Sequence, residues 1–130
     1  MFFYKKNNLN LGKLGEKIAV KYLKRKGYKI LELNFFNKTR RRVGEIDIIA
    51  KKDGKIFFVE VKTRLLNKKE NVLPEESINA SKLRKLNKAA LVYLNQNNVV
   101  GAEYQFDAIS ILVEKEKRNA KVRHLESIFF

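Results

Sequence analysis

The stretch from Val43 to Arg64, VGEIDIIAKKDGKIFFVEVKTR, constrains this chain more than any other. Two runs rich in Ile, Val and Phe flank Asp53-Gly54, and an Asp-Gly pair between apolar runs is a strong signal for a two-residue hairpin turn. If those residues form the turn, Lys52 lies opposite Lys55 and paired residue numbers sum to 107. That register predicts Asp47 facing Glu60 and Glu45 facing Lys62. Strand alternation then puts Ile46, Ile48, Ala50, Phe57, Val59 and Val61 on one apolar face that must be covered. Glu45, Asp47, Glu60 and Lys62 share the other face, with Ile49 and Phe58 toward the turn.

Directly opposed strand residues hold their Cβ atoms roughly 4.5–5.5 Å apart, and like charges at that separation destabilise the pair. Two carboxylates about 4 Å apart repel by about 4 kcal/mol at an effective dielectric near 20. A cation removes that cost, and clustered carboxylate oxygens suit a hard divalent ion such as Mg²⁺. Lys62 adds a fixed positive charge two residues from Glu60. The other reading of the same residues is a solvated hairpin face with scattered ion pairs.

The order of these residues narrows the choice. An Asp followed by Glu60-Val61-Lys62 resembles the metal site of restriction-endonuclease-like nucleases. The strings GEIDIIA, FFVEVKTR and the later QFDAISI resemble the YraN family of small bacterial proteins, over about Leu11 to His124. Gly15-Glu16 in a first helix and a Lys on a second helix also fit. By fold, the nearest characterised relatives that this resemblance implies are the archaeal Holliday-junction resolvases. It implies Asp47 and Glu60 as ligands of Mg²⁺ or Mn²⁺, with the Val61 carbonyl as a further ligand. Lys62 would orient water, and Glu16 would act as an auxiliary catalytic ligand. Read without the resemblance, Glu16 is an ordinary flanking acid. Glu45 is auxiliary, pairing with Lys62 or joining the metal shell. Asp107, in the matching Phe-Asp pair, either belongs to the site or braces the sheet, and stays outside the catalytic set.

The length of 130 residues suits one domain spanning 1–130, with residues 1–9 a loose basic lead. Lys plus Arg is 29 against 14 acidic residues, a formal charge of +15. Genome bias explains Lys over Arg but not basic over acidic, so a polyanion partner is expected, DNA foremost. No apolar run approaches the ~20 residues that cross a bilayer. MFFYKKNN lacks a signal-peptide core, and the chain has no cysteine. The expectation is a cytoplasmic protein with no membrane role. The oligomeric state is open, a homodimer included.

Along the chain, Leu11, Leu14, Ile18, Tyr22 and Leu23 recur at helical spacing, and Gly27 is a natural stop. A strand follows over Tyr28–Phe36. Arg40, Arg41 and Arg42 lie on the connection into the hairpin and are either phosphate contacts or a solvated turn. Leu65–Pro74 reads as a mobile loop. A second helix over about Glu75–Gln96 buries Leu83, Leu86, Ala90, Tyr93 and Leu94. Arg84, Lys85 and Lys88 face outward from it as a phosphate-binding or solvated face, while Lys82 sits nearest the site. Ala102–Val113 is a strand, and Arg123–Ile128 a last strand or extended tail. The single His124 cannot anchor a histidine metal cluster. The order α-β-β-β-α-β predicts an α/β fold, a central mixed sheet flanked by helices, matching the restriction-endonuclease-like core.

These features lead to a divalent-metal-dependent endonuclease acting on DNA, with branched or junction structures among its substrates. A non-catalytic nucleic-acid-binding module that keeps the fold is the alternative. A structural protein on a nucleoprotein complex is a third.

Overall fold

A computed structural model describes residues 10–36, 44–66 and 80–128. The arginines at 40–42, most of the loop expected over Leu65–Pro74 and the first turns expected for the second helix lie outside these residues. The elements follow the order α1 (Leu11–Arg25), β1 (Lys29–Phe36), β2 (Glu45–Lys52), β3 (Lys55–Leu65), α2 (Ala80–Gln96), β4 (Tyr104–Glu114) and β5 (Asn119–Leu125). The strands form one sheet in the order β1-β2-β3-β4-β5. Only β3 and β4 pair in parallel, because α2 and its connections carry the chain back across the sheet. The expected α/β architecture with a mixed sheet is the observed one, but the last strand, β5, begins at Asn119, four residues before the expected Arg123–Ile128 segment, and ends at Leu125, so residues 126–128 lie beyond it. Among the described residues, no helix is long and apolar enough to cross a membrane.

Local chemistry explains the boundaries. Helix α1 closes with Gly27 N–H donating to the Lys24 carbonyl at 3.1 Å and Tyr28 N–H to the Leu23 carbonyl at 3.0 Å, a Schellman cap that satisfies two orphan acceptors. Asp53 and Gly54 have φ of 50° and 77°, both left-handed, as a type I′ turn requires. That turn sets the expected register from Lys52↔Lys55 to Ile48↔Val59.

Each face of the sheet buries its own core. Ala19 and Leu23 of α1 pack with Ile48, Ala50, Phe57, Val59, Val61, Ile109, Ile111 and Val113. On the opposite face, Leu86, Ala89, Ala90, Tyr93 and Leu94 of α2 pack with Ile49, Ile56, Phe58 and Phe106. Ile46 corrects the simple alternation. It packs with the α2 cluster, not beside Ile48. The cause is local. The β1–β2 pairs Leu33↔Ile48 and Phe35↔Ile46 bracket Asn34, whose φ of 53° is left-handed, and the β2–β3 ladder stops at Ile48↔Val59. The start of β2 is therefore rotated relative to the rest of the strand.

Two glycines bring the helices close. A Cβ on Gly15 would lie 1.8 Å from Thr63 Oγ1 and 2.8 Å from Thr63 Cβ, so α1 touches β3 at a point no larger residue can occupy. Gly44, at φ +91°, sits against Lys85 of α2, where a Cβ would come within 3.1 Å of the Lys85 Cβ. Gly15→Ala is expected to cost about 1–3 kcal/mol, the usual penalty for overpacking. Gly12→Ala, on the same helix with nothing within 4 Å, should be neutral or gain up to about 1 kcal/mol from helix propensity. Thermal melts of the two variants check the contrast, and equal melting temperatures would refute the close contact.

Candidate functional site

The rotation at the start of β2 places its acids differently from a flat hairpin. Asp47 does not simply face Glu60 across a ladder. Its Oδ2 accepts a hydrogen bond from the Val61 N–H at 2.7 Å, reaching into the gap where β2 and β3 part. By the alternation of an antiparallel pair, Val61 directs its carbonyl toward the same gap as its N–H. Asp47, Glu60 and Val61 thus converge as the sequence suggested, but through a side chain inserted between strands.

Glu60 is the most enclosed acid of the group at 5% exposure. Its Oε1 lies 3.0 Å from Lys82 Nζ and 3.7 Å from Lys62 Nζ. Its Oε2 is buried and has no hydrogen-bond partner among the described residues. An unsatisfied buried acceptor costs about 1–3 kcal/mol, and more when charged. Asp47 registers the same stress. Burial, then the charge of Glu60, pushes its carboxyl up to about 8, against the pull of the Val61 hydrogen bond. Glu16 and Glu45 raise it further, which places both acids within electrostatic reach of Asp47. Glu16 owes its position to the Gly15–Thr63 contact one residue earlier. Glu45 is exposed and forms no ion pair with Lys62.

The two lysines differ. Burial lowers the Lys62 ammonium, and its hydrogen bond and repulsion with Lys82 lower it further, outweighing Glu60 and Asp47. Burial works in the same direction on Lys82, but its hydrogen bonds to Lys62 and Glu60 and the charges of Glu60 and Asp47 leave it raised. Of the two ammonium groups, Lys62 is thus the easier to deprotonate and Lys82 the harder.

Beside these residues, a cleft of about 330 Å³ is lined by Gly44, Glu45, Ser81, Lys82, Lys85 and Leu86. Lys82 and Lys85 thus join the site region, whereas Arg84 and Lys88 are exposed along α2 and do not line the cleft. Arg40, Arg41 and Arg42 are outside the described residues. Among the described residues, no three His, Cys, Asp or Glu side chains gather into a group that could hold a metal.

Asp107 proves to be a brace. It is 1% exposed, and its Oδ1 accepts from Gln105 Nε2 at 2.7 Å and from the Ser127 N–H at 3.0 Å. Its Oδ2 lies 2.7 Å from His124 Nε2, and His124 Nδ1 lies 3.1 Å from the Tyr22 hydroxyl. This chain ties α1, β4, β5 and the segment after β5. Sequence reading missed His124 and Tyr22 as partners because residues 22, 107 and 124 carry no local signal of adjacency.

The chain matches the profile described as "Uncharacterised protein family UPF0102" over residues 15–111. It is similar to a UPF0102 protein of Syntrophomonas wolfei, 43% identical over 122 residues, covering 94% of this chain and 99% of the relative. A UPF0102 protein of Chloroherpeton thalassium is 42% identical over 123 residues, 95% of this chain and 91% of the relative. One from Thermodesulfovibrio yellowstonii is 45% identical over 124 residues, 94% of this chain and 97% of the relative. Matches of this extent, consistent with the YraN resemblance of the hairpin strings, establish that the chain belongs to the UPF0102 family.

Proposed function

We propose that this protein is a divalent-metal-dependent nuclease that hydrolyses phosphodiester bonds in DNA. The observation that carries the reading is the buried Oε2 of Glu60, without a hydrogen-bond partner among the described residues, next to an Asp47 that burial and Glu60 have driven up to about 8. A protein gains nothing in stability by crowding a buried acid against a half-buried one this way. A cation between them would offset both the unpaired oxygen and the repulsion.

The donor set fits Mg²⁺ or Mn²⁺. Asp47 and Glu60 would hold the ion with the Val61 carbonyl, and two carboxylates suffice because Mg²⁺ usually keeps several waters and shares substrate phosphates. When bound, the ion supplies Lewis-acid polarisation of a phosphoryl oxygen and acidifies water. The chain's own residues do the rest. Lys62 orients the attacking water and stabilises charge developing on the phosphate. Lys82 keeps Glu60 charged and in place. The water oxygen forms the new P–O bond while the bond to the bridging oxygen breaks, and the leaving alcohol takes up a proton. Glu16 steadies water at the α1 side of the site. The cleft under Lys82 and Lys85, with Arg84, Lys88 and Arg40–Arg42, provides phosphate contacts.

Two measurements test this. Linear, single-stranded, flapped and four-way DNA should be cut with Mg²⁺ or Mn²⁺ and not with EDTA. Calorimetric Mn²⁺ binding should disappear in both Asp47→Asn and Glu60→Gln. Unchanged Mn²⁺ binding in both variants sinks the metal site. DNA binding without cleavage on any substrate would leave the non-catalytic module as the function.

A further inference from the structure

Helix α1 carries Lys13, Lys17, Lys21 and Lys24, all exposed. Steps of four, four and three residues keep them within about 80° of the helix circumference, along about 16 Å of its length. They point away from the sheet, opposite the buried line of Gly15, Ala19 and Leu23. Among the described residues none of the four forms an ion pair, and the first turn contains no acid. Like charges at helical i,i+4 spacing destabilise a helix, and a lysine in the first turn opposes its dipole. Lys24, in the last turn, suits the dipole, but the lysine pairs at i,i+4 and Lys13 in the first turn work against the helix that bears them, which is where a functional constraint is expected.

We infer that the outer ridge of α1 is a second nucleic-acid contact surface, which grips duplex backbone on the sheet face opposite α2. The inference rests on the nuclease reading for its partner and extends it. Among the described residues the contacts proposed above lie on α2, so the substrate would be met from both faces of the sheet. Charge complementarity selects the occupant. About 16 Å of duplex axis carries about ten phosphate charges, so four lysines in line meet a matching line of anions. A lipid surface fits less well. A membrane-bound amphipathic helix must bury its apolar side in lipid, and the apolar side of α1 is already packed on the sheet.

The test is duplex DNA binding by fluorescence anisotropy in EDTA, across a salt series, so that cleavage plays no part. One variant changes Lys13, Lys17, Lys21 and Lys24 to Gln. The comparison variant changes Lys29, Lys51, Lys115 and Arg118 to Gln, removing the same net charge from exposed positions on other surfaces. The ridge variant should bind roughly tenfold or more weakly, with the slope of log K against log salt shallower by about three units. The comparison variant should lose no more than about one unit. Circular-dichroism melts establish that both variants fold. Equal losses in the two variants would show a net-charge effect and overturn the ridge, as would a wild-type slope in the ridge variant. Either result leaves the nuclease reading standing if wild type still cuts. A wild-type protein that binds phosphatidylserine vesicles but no duplex overturns both.

Discussion

Lys62→Ala is expected to lower single-turnover cleavage by about 10²-fold or more while changing DNA affinity by less than about 1 kcal/mol. Lys62→Arg should fail nearly as badly. Arg keeps the charge but replaces a compact donor on a flexible stem with a wide planar fork, and a misplacement of about 1 Å is enough to cost that factor. The structure adds an internal comparison. Lys82 approaches Glu60 to 3.0 Å and Lys62 only to 3.7 Å. If charge neutralisation of Glu60 were all that mattered, Lys82→Ala would be the more damaging change. If Lys62 positions a reacting water, Lys62→Ala is the worse for cleavage, and Lys82→Ala acts chiefly through weaker metal retention. Affinities are to be measured in Ca²⁺, which should occupy the site without supporting chemistry. Wild-type cutting by Lys62→Ala would remove Lys62 from the mechanism, whereas loss of binding together with cutting would make it a contact residue.

The second large effect is a stability profile. In the folded protein Asp47 keeps its proton up to about pH 8, whereas its ordinary value is 3.8. Between those values the folded state holds a proton that the unfolded state has released. Stability from this group is thus complete at the acid end and is lost as pH rises through 8, with a ceiling of about 1.4 kcal/mol per pH unit. In EDTA, Asp47→Asn should flatten that fall and melt no lower than wild type at pH 8, since the amide oxygen can still accept from the Val61 N–H. Wild type minus variant, across a pH series of urea melts, isolates the contribution from other carboxylates with the opposite slope. A divalent ion would displace the same proton, so Mn²⁺ binding near neutral pH should release close to one proton, seen as a dependence of the calorimetric heat on buffer ionisation. Parallel pH profiles for wild type and Asp47→Asn would contradict the burial of Asp47 described above.

Much of this site was legible in the sequence because it is local. Asp53-Gly54 set the register of five strand pairs, from Lys52↔Lys55 to Ile48↔Val59, and strand alternation then put Phe57, Val59 and Val61 on one face and Glu60 and Lys62 on the other. Helix α1 was legible from its 3.6-residue spacing and Gly27. Ile46 was not, because the distortion came from the neighbouring strand: Asn34 adopts a left-handed conformation that no pattern within the hairpin announces. The insertion of Asp47 toward Val61 went unseen for the same reason. Nor could spacing show that Lys82 would come closer to Glu60 than Lys62 does, since that depends on how near α2 packs against Gly44. The Tyr22–His124–Asp107 chain joins three elements that approach one another only after the sheet has formed.

The parallel pairing of β3 with β4 has a consequence for how the protein comes into being. The β2–β3 hairpin closes over two residues and can form on a timescale of about 1–10 μs. The β3–β4 contact must first close the whole crossover through α2, a slower event that waits on long-range contacts. Glu60 pairs with Ala108 across that seam, and Lys82 arrives on the crossover itself. A chain still emerging from synthesis, with β4 not yet made, therefore presents Asp47 and Glu60 as solvated acids on a bare hairpin. The stressed pair comes into existence only when α2 and β4 dock, so the strain on Asp47 and Glu60 belongs to the folded sheet and not to the hairpin.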